Sequence, residues 1–393
     1  MELEGILQFF ENKTILVTGT TGFLAKVFVE KILRVQPNVK RFSLLVRASN
    51  NQAATQRFRE EVIKKDIFRI LRNNLGANLE SFIFERVTPI SGDISYENFG
   101  IKDSILIEEM WKDIDIVLNS AATTNFDERA KLYGWPNTYV YTKALGEMLL
   151  EQFHQNLPLA IVRPTMVTST YKEPFSGWIE GARTIDGVIT AFGKGRLKSF
   201  LGHPNSILDV IPADMVVNSI IMAMVTHANK SSQIIFHVGS SLRNPMKLPS
   251  LSDLISLYFT QNPWIDRNGK SIKVSKLIVF SNIATFQAYM AIRYKLPLKV
   301  LWLANLMLCQ YYREIRINLN RKVRVVMRMV DLYKPYAFFT GSFDDSNTEN
   351  LRVAIRESDV DVNLFYFDPR CIDWEDYIMN THIPGLTKYS MKP

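Results

Sequence analysis

The sequence predicts an α/β fold built on a doubly wound, parallel Rossmann-type sheet, and three observations predict it. A short apolar run passes through a glycine turn straight into an amphipathic stretch. Strand-like and helix-like patterns then alternate for some 240 residues, and the strand-like runs are apolar enough to be covered on both faces. At 393 residues, 47% hydrophobic and 22% charged, the chain has ample apolar mass for such a core.

The elements follow in order. "TILVT" (14–18) is the first strand, and "GTTGFLAKVFVEKIL" continues from it with apolar helix positions at Phe23, Leu24, Val27, Phe28, Ile32 and Leu33. Gly19 permits a tight turn, Thr21 completes it, and Gly22 lets a pyrophosphate approach the helix N-terminus, where free N–H groups and the dipole favour anions. The third position of the fingerprint is Ala25, small enough for close helix–strand packing. "RFSLLVR" (41–47) is the second strand. It ends on Arg47 where an NAD site carries an acid; a guanidinium fork suits a 2′-phosphate and so predicts NADPH, the alternative being a solvated loop residue.

Residues 54–76 read as one charged amphipathic helix with Phe58, Val62, Ile67, Ile70 and Leu71 inward. "RVTPISGDI" (86–94) is a third strand ending at Asp93, an acceptor for the adenine amino group. "DIDIVLNSAA" (113–122) is a fourth, with Asn119, Ala121 and Ala122 where the ribose of a dinucleotide lies against backbone. "LPLAIVRPTMV" (157–167) is a further buried strand that brings Arg163, Pro164 and Thr165 to the nicotinamide level. A helix capped by Asp214 and a strand over 232–240 complete the half.

Composition narrows the function classes. Cys309 and Cys371 have no metal or disulfide spacing, and five scattered histidines offer no ligand set, so no metal is expected. The first strand begins at residue 14, which leaves no room for a signal or long transit peptide. Apolar runs such as "VLWLANLML" (300–308) fall short of a membrane span. The net charge is +8, and from Arg293 to Arg328 there are nine Lys/Arg and one acid, Glu314. That stretch suits nucleotide phosphates, a CoA moiety or a membrane surface in peripheral association, the equal alternative being a solvated helix face with an apolar underside; without a recognised motif it does not indicate nucleic acid.

The catalytic candidates lie in "YVYTKALGE" (139–147). Tyr139 is the candidate proton donor, and Lys143, one helical turn on, the cation that would stabilise its phenolate and could also hold a nicotinamide ribose, since the ordinary phenol pKa of about 10 is too high unaided. "TGTTGFLAK", "LLVR", "SGDI", "NSAATTNFDER", "KLYGWPNTYVYTKALGE", "IVRPTMV", "EPFSGWIEG" and "DVIPADMVVN" together resemble the plant alcohol-forming fatty acyl-CoA reductases, extended short-chain dehydrogenase/reductases. The C-terminal "KPYAFFTGSFDDSNTENL" and "FDPRCIDWEDYIMNTHIPGL" resemble that family's additional domain. The resemblance implies an NADPH-binding domain over 1–240 and a smaller, mainly helical reductase-associated domain over 241–393. It implies reduction of long-chain acyl-CoA to a primary alcohol with CoA release, in the cytoplasm or at the endoplasmic reticulum membrane.

One part of the family pattern is missing. The resemblance implies a crossover helix after the fourth strand, then a fifth strand of the type "VSTAYV" bearing the serine that polarises the substrate carbonyl. Only fourteen residues run from Asn125 to Thr138, with Gly134 and Pro136 among them. A helix, a strand and their loops need roughly 25. Loss of a central strand predicts either a gap in the sheet or closure of its neighbours, and a chain that binds NADPH or acyl-CoA with impaired or no turnover is the alternative function. Thr123 and Thr124 are weak stand-ins for the serine.

Overall fold

The computed structural model describes residues 3–101, 103–122, 134–135, 138–153, 157–307, 310–356 and 364–391. The chain forms two compact units, each drawn from separated stretches. The first comprises Met1–Trp178, Pro212–Val238 and Asp345–Asp368, the second Ile179–Ile211, Gly239–Asp344 and Pro369–Pro393.

The first unit is organised by β1 (Thr14–Thr18), whose five residues are all buried. It pairs in parallel with β2 (Arg41–Val46) on one side and β4 (Ile116–Asn119) on the other, and β2 pairs with β3 (Val87–Ser91), giving the order β3-β2-β1-β4. Parallel neighbours require crossovers, so the apolar runs are covered on both faces. Helix α1 (Phe23–Val35) follows the glycine turn and buries Val27, Phe28, Ile32 and Leu33.

Beyond β4 the sheet stops. β5 (Leu159–Pro164) pairs in parallel with β6 (Gln233–Val238), from Leu159↔Gln233 to Pro164↔Val238, in a separate two-stranded sheet. Among the described residues β4 has no ladder on its far side, and its residues alternate between half-buried and exposed, with Val117 55% exposed. β5 is half-exposed too; Ile161 alone is buried, where a fully buried strand was expected. Helix α2 (Thr138–Phe153) leaves Met148, Leu149 and Leu150 exposed. Among the described residues, then, β4 and β5 have not closed up on each other, and their two sheets stay separate.

Three local expectations need correction. Residues 54–76 form several pieces rather than one helix: Asn51–Phe58, a π turn over Arg59–Ile63, a 3₁₀ turn over Asp66–Phe68 and Arg69–Leu75. The inward set survives because Phe58, Val62, Ile67 and Leu71 are still buried and only Ile70 is half-exposed; core contact overrides the regular helical period. β3 ends at Ser91, leaving Asp93 in the following turn. Asp214 does not cap its helix, which starts at Ala213; its buried carboxylate instead accepts from the N–H groups of Tyr171, Lys172 and Glu173 at 2.7, 2.8 and 2.9 Å. Burial raises its pKa, and those three donors pull the other way.

Helix α1 also buries charge. Lys31 pairs with Glu173 and the carbonyl of Leu364. Glu30, fully buried, accepts from Arg34 Nε at 2.9 Å through Oε1 but has no hydrogen-bond partner for Oε2. Burial pushes Glu30 from near 4.5 up to about 7, with Arg34 and Lys31 opposing. The folded chain thus keeps this proton up to about pH 7 while the unfolded chain releases it near 4.5, so stability falls as pH rises between those values. Glu30→Gln is expected to gain roughly 3 kcal/mol over the parent at about pH 8 and nothing near pH 4. Urea unfolding at the two pH values measures it; equal stabilities at the higher pH would mean that Arg34 fully compensates the buried charge.

The second unit is mainly helical. Its interior includes the edge-to-face pair Phe192–Phe259, with ring centroids 6.3 Å apart, and a buried polar contact between His382 Nε2 and Asp186 Oδ1 at 3.0 Å. Tyr377 stacks on His382 at 5.8 Å.

Candidate active site

The glycine turn and the end of β4 are built against each other. Gly19 has φ +69°, and a Cβ there would lie 2.7 Å from Ala121 N and 2.8 Å from Ala121 Cα. Backbone meets backbone, so no larger residue fits. Gly22 N donates to Gly19 O at 2.8 Å, and Gly22 is the N-cap of α1 with no side chain to take up the first-turn N–H groups. No acid occupies that first turn, so the helix start suits an anion. Thr21 is half-buried beside it; Phe23 packs its ring on Trp178 at 5.1 Å, and Leu24 is half-buried.

Thr18 joins this cluster although the motif reading passed over it. Its hydroxyl donates to Asn119 Oδ1 at 2.6 Å and accepts from Ala121 N at 3.4 Å, locking the end of β1 to the end of β4. A hydroxyl on the last strand residue before the glycine turn was the available signal.

Tyr139 and Lys143 lie four residues apart on α2, on one helix face, both half-buried. Lys143 Nζ donates to Ala121 O at 3.1 Å, which brings the tyrosine helix to the same backbone that packs on Gly19. Burial lowers the Lys143 pKa, with Glu147 pulling it back. One further turn along, Glu147 accepts from Arg163 Nε on β5 at 3.2 Å. Through Lys143 and Glu147, α2 therefore touches both sheets across the gap.

The remaining candidates stand apart from this cluster. Arg47 follows β2 with its side chain 77% exposed, and its Nη1 lies 4.0 Å from Asp93 Oδ2. Asp93 Oδ1 accepts from Ser95 N and Oγ at 3.0 and 2.8 Å, and those bonds hold its carboxyl below the usual range. Pro164 closes β5 in the second sheet, followed by Thr165, whose N–H donates to Val238 O at 3.0 Å. Thr123, Thr124 and the interval 123–133 lie outside the described residues. No metal-holding group of side chains occurs among the described residues.

Two family models described as "Male sterility protein" match this chain. The NAD-binding model aligns in two pieces, over residues 17–133 and 127–220, and the Sterile model over 293–393. The chain is 45% identical to "Probable fatty acyl-CoA reductase 4" of Arabidopsis thaliana, over 98% of this chain and 99% of that one. It is 43% identical to the "Alcohol-forming fatty acyl-CoA reductase" of Simmondsia chinensis, over 99% of each. The Arabidopsis alignment spans 487 positions, which exceeds the 393 residues of this chain by 94 (487 less 393). At least that many positions of the alignment have no residue of this chain opposite them, and the two pieces of the NAD-binding match meet at residues 127–133. Among solved structures, the terminal R domain from the myxalamid PKS-NRPS biosynthetic pathway shares the fold, with a TM-score of 0.56 at 16% identity over 88% of this chain and 86% of that one. With a glycine turn packed on the end of β4 and a Tyr139–Lys143 helix reaching that backbone, the family matches and near full-length identity above 40% place the chain in the fatty acyl-CoA reductase family of oxidoreductases.

Proposed function

We propose that the chain reduces long-chain fatty acyl-CoA to a primary alcohol with NADPH, releasing CoA, in the cytoplasm or at the endoplasmic reticulum membrane. The observation that carries this reading is the Lys143 Nζ–Ala121 O bond, because it joins the proton-donor helix to the nucleotide turn. The residues present fit a dinucleotide: a Cβ-free cradle at Gly19 and an uncapped, acid-free helix start at Gly22. Thr21, Phe23 and Leu24 would flank the pyrophosphate, Asp93 the adenine, Asn119 and Ala121 the ribose, and Pro164 the nicotinamide. When bound, NADPH would supply one hydride in each of two successive rounds, as the four-electron reduction of a thioester to an alcohol with loss of the CoA thiol requires. Tyr139 Oη delivers a proton to the substrate carbonyl oxygen, and the Lys143 ammonium stabilises the phenolate left behind. The domain spanning 1–240 supplies these groups, and 241–393 shapes the acyl site.

The interrupted sheet favours a second reading, nucleotide or acyl-CoA binding without turnover. Without the serine strand, nothing on a fifth strand polarises the carbonyl. One experiment separates the two: purified chain with NADPH and acyl-CoAs of several chain lengths, assayed for alcohol and for the thermal midpoint. Alcohol formation supports reduction; an NADPH-dependent rise in midpoint with no alcohol at any length supports binding alone; neither result sinks both. Arg47→Ala is expected to weaken NADPH by roughly 10–100-fold while leaving NADH unchanged, as loss of a charge-assisted phosphate contact requires. Equal losses for both nucleotides would remove Arg47 from the 2′-phosphate.

A further inference from the structure

We infer that the second unit docks on an anionic lipid surface through helix α3 (Leu296–Met307), which lies parallel to the membrane. This deepens the acyl-CoA reading, since a long-chain acyl thioester partitions into bilayers, yet the surface itself is argued from α3 alone.

Helix α3 exposes a full apolar stripe. Its one buried residue is Asn305, 1% exposed, whose Oδ1 accepts from Tyr312 N at 2.8 Å and whose Nδ2 donates to Gln310 Oε1 at 3.2 Å. Leu296, Val300, Leu303 and Met307 follow the spacing i, i+4, i+7, i+11 and so form one stripe. Each is more than half exposed, and Met307 reaches 85%. Trp302 and Leu306 stand exposed beside the stripe. A soluble helix keeps its large apolar side chains on the inner face; this one half-buries Leu298, Leu301 and Ala304 beside Asn305 and leaves a second apolar side exposed.

Charge identifies the occupant. From Arg267 to Arg313 the chain carries eight Lys/Arg and no Asp or Glu, among them Arg293, Lys295 and Lys299 next to or within α3. The following helix α4 (Arg313–Ala337) adds exposed Arg321, Lys322 and Arg324. A second copy of the chain is a poor partner, because a two-fold contact places the same cation-rich stretch against itself. Anionic headgroups match them, with the apolar stripe seated at the acyl boundary. At twelve residues α3 is about 18 Å long, too short to span a bilayer core of about 30 Å, and no helix among the described residues is long and apolar enough to cross one.

The test is co-sedimentation of the full chain with phosphatidylcholine vesicles, with and without phosphatidylserine, in the absence of cofactor and substrate. Binding is expected with phosphatidylserine and should weaken with added salt. The pair Leu303→Glu, Met307→Glu should lower it at least tenfold, and Lys295→Glu, Lys299→Glu should do likewise, each cation contributing roughly fivefold. All four side chains are exposed, so an unchanged thermal midpoint shows that the variants fold. No binding to phosphatidylserine vesicles, or equal binding by parent and folded variants, overturns the inference. So does a lipid-free dimer in sedimentation velocity that Leu303→Glu, Met307→Glu dissolves, because the stripe then serves a second copy. Because vesicle binding is read without turnover, a chain that binds but forms no alcohol sinks only the catalytic reading, and one that forms alcohol but does not bind sinks only this one.

Discussion

Grafting the relatives' intervening segment between Ala122 and Thr138 is expected to raise the rate of alcohol formation by roughly 10²–10³-fold. That factor is the usual worth of one donor aimed at the developing oxyanion, and the missing strand is where the family resemblance places it. The structure adds a second reason. β4 and β5 belong to separate sheets, and α2 is the element that contacts both, through Lys143–Ala121 and Glu147–Arg163. A strand inserted between them would fix the spacing of the two edges and hence the position of Tyr139. It would also cover Val117 and, with its crossover helix, part of the exposed apolar side of α2, each fully buried side chain contributing about 1.5–3 kcal/mol. The thermal midpoint should therefore rise together with the rate. Single-turnover NADPH oxidation with alcohol quantified by mass spectrometry checks the rate. A grafted chain that folds more stably and binds NADPH but turns over no faster would show that the gap is not what limits catalysis.

Tyr139→Phe in the grafted chain is expected to reduce turnover by roughly 10²–10⁴-fold, the range for loss of a positioned general acid. Phenylalanine keeps the ring and its packing and removes only the hydroxyl. NADPH affinity should therefore stay within about twofold, because a ring that still packs leaves the glycine turn and Lys143 in place. Lys143→Met should differ, lowering both turnover and NADPH affinity, since Lys143 also holds Ala121 O beside the Gly19 turn. Fluorescence titration with NADPH alongside steady-state rates separates the two. A Tyr139→Phe chain as fast as its parent would move the proton donor to another residue.

Much of this was legible in the chain. The turn at Gly19, the helix after it, the parallel order around β1 and the i, i+4 placement of Tyr139 and Lys143 all follow from short-range sterics and periodicity, which neighbours in sequence determine. Counting fourteen residues from Asn125 to Thr138 was enough to expect a lost strand, because a crossover and a strand have a minimum length. What followed from that loss depended on packing. The count allowed either closure or a gap, and among the described residues β4 and β5 are half-exposed and unpaired with each other.

Other features depend on partners distant in sequence, which no local pattern encodes. Lys143 reaches a carbonyl 22 residues away, and Thr18 an amide oxygen 101 residues away. Lys31 meets Glu173 and the Leu364 carbonyl, so a charged helix position becomes an interior one. Glu30 is pushed up to about 7 only because the fold removes water from around it. "LPLKVLWLANLM" reads by composition as a core helix, yet its environment buries Asn305 and leaves Leu296, Leu303 and Leu306 exposed. The sequence by itself determined the family and the sheet type, and it supplied the expectations of a Tyr139–Lys143 donor pair and of a missing strand. The tertiary structure alone decided which charges are buried, which apolar side chains face solvent and how the interrupted sheet settles, because burial is a property of the neighbours a residue meets and not of the residue.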